Sequence, residues 1–267
     1  MELFNGDCLN ILPQLEDDSI DLFFTDLPYG QISCNWDNKI NLEEMWIQLN
    51  RVCKINCPMF FTCTTKFGIE LINSNPKNFR YDIVWCKNTS SGFLLSKKQP
   101  LRKHEMIYVF YRKQPFYNID DNHTKKVIIS KKKSTRKNSC YDIKEESVST
   151  YSPPLPNTIL KEDNNIDYKA PNVYSDTIKR IPDTKYEPPL PESILEIKRD
   201  SGKLHQTQKP VKLMEWILKY YSKESDTVLD CCMGSGSMGV ACKNLNRNFI
   251  GIELDDDIFK NAAERLN

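Results

Sequence analysis

Thr227-Val-Leu-Asp230-Cys-Cys-Met-Gly234-Ser235-Gly236-Ser-Met-Gly239, with Phe249-Ile-Gly-Ile252-Glu253 behind it, is the stretch on which the reading of this chain turns. An apolar run closed by an acid leads to a glycine turn, a helix-like segment and a second apolar run closed by an acid. A nucleotide-binding turn requires that context. Gly234 and Gly236 let backbone approach a ligand closely, and Ser235 stands between them. Seventeen residues after Gly236, Glu253 ends the second run, where a carboxylate can accept both hydroxyl protons of a ribose. A lone Gly-x-Gly-x-x-Gly is often only a tight turn; strand, glycines, helix, strand and terminal acid together mark an adenosine site.

Only 14 residues follow Glu253, too few for a further strand and crossover, whereas a nucleotide-binding sheet needs at least βαβαβ. The remaining strands are therefore expected from the N-terminal part. There Glu2-Leu-Phe-Asn5 leads to Gly6-Asp7, Ile20 to Thr25 leads to Asp26, and Met59-Phe-Phe-Thr-Cys63 leads to Thr64. Each run is short, apolar on both faces and ends in polar residues, as buried parallel strands do before an active-site loop. Between them Leu42, Met45, Trp46, Leu49, Val52 and Cys53 recur at helical spacing. Tyr81 to Trp85 and Met106 to Tyr111 read as two more strands. The strand ending at Asp7 should lie beside the Glu253 strand, with Asp7 accepting from the ligand's adenine amino group. The Asp26 strand should flank the glycine turn on its other side, at the switch point of the sheet.

Farther out the alternation fails from about Lys113 to Lys203, where eight of the fifteen prolines fall between Pro153 and Pro191. That segment reads as an insertion or a small loop-rich domain, since long regular elements cannot run through such spacing. Pro210 then suits the first turn of a helix carrying Met214, Ile217, Leu218 and Tyr221 on one face.

A net charge of +1 over 267 residues hides an uneven distribution. Trp85 to Lys137 holds 14 Lys or Arg against three acids, +11, and the rest of the chain −10. A basic middle on an acidic chain suits a polyanion. With 39% apolar and 27% charged residues, no apolar run approaches a membrane span and the N-terminal residues do not resemble a signal peptide, so no membrane is expected and a cytoplasmic protein is. The ten cysteines are scattered, no Cys-x-x-Cys pair occurs and only three histidines are present, so a reducing compartment and no metal are expected.

Asp26-Leu27-Pro28-Tyr29, placed beside a predicted adenosine site, resembles the Asp-Pro-Pro-Tyr motif of the amino-group (N6-adenine/N4-cytosine) DNA methyltransferases. Asn5-Gly-Asp-Cys8, Trp36-Asp37, His104-Glu105, His205-Gln-Thr207-Gln-Lys209-Pro210 and Asp230 to Ser237 also look like that family, in the order of its beta arrangement. The resemblance implies an α/β fold: a circularly permuted Rossmann-like, S-adenosylmethionine-dependent methyltransferase sheet, over 1–112 and 204–267, with an inserted target-recognition region at 113–203. It also implies double-stranded DNA as substrate, and homodimers are frequent in the family.

By the same resemblance, Asp26 and the Leu27 carbonyl would accept the amino hydrogens of the target base, and Tyr29 would offer a ring face to that base once flipped from the stack. Thr207 and Lys209 would hold the cofactor's methionine carboxylate. Lys97, Lys98, Arg102, Lys131, Lys132 and Lys133 are the candidate DNA contacts. Two departures stand out: Leu27 replaces a Pro, and Asp230-Cys231-Cys232 replaces Asp-Pro-Phe, removing an aromatic contact to the cofactor. Asp at position 26 points to adenine N6, because the N4-cytosine enzymes more often carry Ser there. The competing readings are N4-cytosine transfer, a nicotinamide-dependent oxidoreductase built on Gly234-x-Gly-x-x-Gly239, and an inactive DNA-binding module.

Overall fold

A computed structural model of the 267-residue chain describes residues 1–30, 39–92, 94, 96–98, 100–128, 183–187, 194–198 and 208–267. Trp36, Asp37, Lys131, Lys132, Lys133, His205 and Thr207 lie outside the described residues. The chain forms two units, Met1–Asn118 with Glu192–Asn267, and Ile119–Pro191.

The first unit is built on strands β1 (Glu2–Asn5), β2 (Leu22–Thr25), β3 (Met59–Cys63), β4 (Phe79–Ser91), β5 (Arg102–Phe110), β8 (Ile194–Glu196), β9 (Thr227–Asp230) and β10 (Asn248–Glu253). They form one eight-stranded sheet in the order β1-β10-β9-β2-β3-β5-β4-β8. β1, β10, β9, β2 and β3 run parallel, and β5 is antiparallel to both β3 and β4. The two expected neighbourhoods are found: β1 pairs with β10 through Asn5 and Glu253, and β2 pairs with β9 through Phe23 and Leu229.

Side chains alternate across the pleat and feed two cores. Phe23, Met59 and Phe61 enter one, with Met45, Trp46 and Leu49 of helix α2 (Leu42–Val52); Leu22, Phe24 and Phe60 enter the other, with Leu213, Met214 and Ile217 of α4 (Val211–Tyr221). Both faces of the parallel strands are thereby covered, which explains their unbroken apolar runs. The remaining helices are α1 (Cys8–Ile11), α3 (Thr65–Ser74), α5 (Ser237–Asn244) and α6 (Asp256–Leu266). Caps fix several starts: Asn41 accepts from the N–H groups of Glu43 and Glu44 at α2, and Asp255 from those of Asp257 and Ile258 at α6.

β8 departs from the sequence expectation, for it joins the main sheet from within the span read as an insertion. Three residues between prolines show no usable period, yet Leu195 is buried and the Trp85 indole donates to the Ile197 carbonyl at 2.9 Å. In the second unit, β6 (Thr124–Ile128) and β7 (Asp183–Glu187) pair antiparallel, Thr124 opposite Glu187. Among the described residues no helix is long and apolar enough to cross a membrane.

Candidate active site

Parallel strands carry their ligands beyond their carboxyl ends. Gly6 and Asp7 after β1, Asp26 to Tyr29 after β2, Cys231 to Ser235 after β9 and Glu253 at the end of β10 line one cavity of about 710 Å³. The same cavity continues past Lys209 to Lys87, Arg102 and Glu105 on β4 and β5.

At the glycine turn, Gly236 adopts φ +75° and caps α5, while Gly234 at φ +51° has open space where a side chain would project. Glu253 is held by two backbone donors, Gly234 N–H to Oε2 at 2.9 Å and Asp255 N–H to Oε1 at 3.0 Å. Each carboxylate oxygen has a second lone pair, so the group can still accept from vicinal hydroxyls. Burial nevertheless raises its pKa, outweighing those two donors. Asp7 accepts from Leu9 N–H at 2.9 Å and so caps α1 at the cavity edge. Asp230 is almost completely buried, and burial pushes its carboxyl up to about 8, against the N–H of Cys232 and with the charges of Asp26 and Glu253 acting in the same direction as burial. Ser235 lines the cavity and is tied to α6: the Arg265 guanidinium donates to its carbonyl at 2.8 Å and reaches its hydroxyl at 3.3 Å.

The Asp26 carboxylate gathers three donors. Thr62 Oγ1 at 2.6 Å and the Tyr29 hydroxyl at 2.5 Å donate to Oδ1, and Lys209 Nζ forms an ion pair with Oδ2. The register of β2 on β3, Thr25 opposite Phe61, puts Thr62 beside Asp26. The Tyr29 ring stacks at a tilt on Phe67, 5.3 Å between centroids, and burial followed by the Asp26 charge raises its hydroxyl well above the usual value. Leu27 is buried at 3% exposure, which fixes the carbonyl that follows Asp26.

Lys209 is thus found on Asp26, and it also meets Glu105 Oε2 at 3.5 Å. Glu105 Oε1 in turn accepts from the buried Lys87 at 3.0 Å, giving a chain Lys87–Glu105–Lys209–Asp26 of alternating charge. Burial alone would lower the Lys209 pKa, but Asp26 and Glu105 outweigh it and the net shift is upward. Ser237 Oγ donates to the Lys209 carbonyl at 2.8 Å and ties this lysine to the start of α5. The sequence alone does not point to Thr62, Lys87 and Glu105 as partners. The available signals are the family-like His104-Glu105 pair and a hydroxyl in the otherwise apolar Met59-Phe-Phe-Thr-Cys63 run.

Of the candidate DNA contacts, Lys97 and Lys98 are exposed in a turn, and Arg102 is exposed at the start of β5 on the cavity rim.

A strand-end cavity that brings together a glycine turn, the carboxylate of Glu253 and the carboxylate of Asp26 has the layout of a nucleotide-binding crevice in an α/β sheet. Residues 20–264 match the family model described as DNA methylase, N6/N4 type, and the chain belongs to that family. It is 39% identical over 103 residues to the type II methyltransferase M2.DpnII of Streptococcus pneumoniae, covering 38% of each chain. It is 46% identical over 63 residues to the type II methyltransferase M2.LlaDCHI of Lactococcus lactis subsp. cremoris, 24% of this chain and 23% of that one. These matches therefore span well under half the length of the curated relatives. Over nearly its whole length the fold is similar to that of M1.HpyAVI, solved as a complex with SAM (TM-score 0.59, 22% identity, 99% of both chains). It is also similar to the cytosine-N4-specific PvuII DNA methyltransferase (TM-score 0.63, 14% identity, 99% of this chain and 86% of that one).

Proposed function

We propose that this protein is a site-specific DNA methyltransferase that moves a methyl group from S-adenosylmethionine to adenine N6, on a base flipped out of the duplex. The observation that carries the reading is the placement of Asp26, fixed by Thr62, Tyr29 and Lys209, in the same cavity as Gly234 and Glu253.

The residues suit the cofactor. Open space at Gly234 admits it, Glu253 can take the ribose hydroxyls, and Asp7 stands at the adenine end. S-adenosylmethionine supplies an electrophilic sulfonium methyl. The protein's task is to make an aromatic amine nucleophilic, since its lone pair is delocalised into the ring. Asp26 Oδ2 and the Leu27 carbonyl would accept hydrogen bonds from the two amino hydrogens and draw the nitrogen toward tetrahedral geometry, so that its lone pair would face the methyl donor. The proton shed by the nitrogen on gaining the methyl would leave through Asp26. A carboxylate oxygen has two lone-pair directions, so Oδ2 can receive the amine while it keeps Lys209. Fixed dipoles and positioning carry the catalysis, with no covalent enzyme intermediate. The Tyr29 ring, packed at a tilt on Phe67 and lining the cavity, is assigned to receive the flipped base.

The order of the motifs along the chain corresponds to a permuted, beta-type arrangement, and residues 113–203 are assigned to target recognition. Lys97, Lys98, Arg102 and Lys131 to Lys133 provide phosphate contacts, and Thr207 remains a candidate for the methionine carboxylate. Transfer of labelled methyl from S-adenosylmethionine to duplex DNA, followed by hydrolysis and nucleoside separation, tests the reading. N6-methyladenine is expected. N4-methylcytosine would overturn the base assignment, and no incorporation would overturn the activity.

A further inference from the structure

Cys8, Cys231 and Cys232 come from segments more than two hundred residues apart, yet their Sγ atoms all lie within 4.8 Å of one another. Cys8 opens α1, Cys231 and Cys232 open the turn after β9, and the parallel β1–β10–β9 alignment brings the two strand ends together. All three thiols line the cavity wall. Among the described residues no other group of His, Cys, Asp or Glu is arranged this way.

From this geometry we infer a binding site for a single thiophilic d10 cation of the zinc class, held by the sulfurs of Cys8, Cys231 and Cys232 on the wall of the cavity. Sulfurs bound at about 2.3 Å to such an ion stand roughly 3.8–4.0 Å apart, so the thiols need only a small contraction. Each ligand enters as a thiolate, so binding releases the protons that the three sulfurs hold. Cys231 Sγ now donates to Thr25 Oγ1 at 3.5 Å; once that proton is lost, the Thr25 hydroxyl can reverse and donate to the sulfur. Cys8 and Cys231 are buried while Cys232 is half-buried and faces the cavity, which provides both an entry route and a fourth position for water. The neighbouring carboxylates of Asp7 and Glu253 on the same wall add a favourable field for a cation. The inference does not rest on the proposed activity.

Cadmium is the probe, because its thiolate charge-transfer absorption in the ultraviolet grows with the number of Cd–S bonds. The full chain, kept reduced with a phosphine, is titrated with Cd²⁺ and compared with Cys8→Ser, Cys232→Ser and, as a control, Cys86→Ser. One strongly bound Cd²⁺ per chain is expected. Each of the first two substitutions should remove about a third of the absorption and weaken binding by about tenfold or more, with Cys86→Ser unchanged. Circular dichroism checks folding; should Cys8→Ser fail to fold, Cys232→Ser, at the half-buried position, decides. Absence of the band in the wild type, or a band that Cys232→Ser leaves intact, would overturn the site.

Discussion

The ammonium of Lys209 rests on the carboxylate of Asp26 across 183 residues of sequence, so the segment before α4 completes the electrostatics at the end of β2. If the proposed chemistry holds, the pair acts as a unit. Asp26→Ala should leave cofactor binding in place and lower methyl transfer by about a hundredfold or more, as removal of a positioned electrostatic partner does. Lys209→Met, similar in length but uncharged, should also reduce single-turnover transfer. A wild-type rate in Asp26→Ala would remove Asp26 from the chemistry, and one in Lys209→Met would show that Asp26 acts without its lysine partner.

Glu253→Ala should weaken S-adenosylmethionine binding by about 1.5–3 kcal/mol, the range for hydrogen bonds to a charged acceptor. It should also release Gly234 and Asp255 N–H from their anchor. Calorimetry with the cofactor measures this directly, and equal affinity would move the adenosine site elsewhere.

Asp230 gives stability a pH dependence of definite sign. Its folded value, about 8, lies above the unfolded value of 3.8, so between these limits the folded state holds the extra proton. This contribution to stability is therefore present at low pH and declines as pH rises through the window, by about 1.4 kcal/mol per pH unit at its steepest. Asp230→Asn should flatten the slope and make the variant relatively more stable near pH 8. Urea melts at pH 5 and pH 8 check the difference, and parallel slopes in the two proteins would contradict it.

Gly68 lies inside α3 directly under Tyr108 of β5, where an added Cβ would fall 2.2 Å from the ring. A rigid aromatic cannot yield as a flexible chain end can. Gly68→Ala should accordingly destabilise the fold by about 1–3 kcal/mol despite the better helix propensity of alanine. Thermal or urea melts read the loss.

Replacing Lys131, Lys132 and Lys133 with Ala should weaken DNA binding and reduce its salt slope by about one for each phosphate no longer neutralised. An unchanged slope would assign DNA affinity to other basic residues.

Strands whose two faces are buried announce themselves as short apolar runs, which is why β1, β2, β3, β9 and β10 are legible in the sequence, as are the acids that follow or close all of them but β3. Helix α2 is legible for the complementary reason, its apolar residues recurring along one face. β8 is hidden because three residues carry no period and its pairing with β4 is a tertiary fact. The charge chain is hidden for a different reason. Glu105, Lys87 and Lys209 sit on separate elements, and only the antiparallel register of β4 on β5 and the approach of residue 209 bring them together. A motif read locally places Lys209 near the cofactor; its partners in the fold are Asp26 and Glu105. The thiol cluster escapes for the same reason, since cysteine spacing within one segment says nothing about Cys8 meeting Cys231 and Cys232.

The pairing of β1 with β10 also affects the order of events on the ribosome. Asp26 and its strand emerge early, but β2 has no neighbour on its β9 side until residues 227–230 have been synthesised, and the Asn5 side chain waits for the Glu253 carbonyl. Until then the nascent chain presents an unpaired apolar strand edge, a template for association with other chains. Holdase chaperones should therefore engage the nascent chain before Glu253 emerges and release it afterward. Synthesis of β9 and β10 both completes the strand-end cavity and ends that interval.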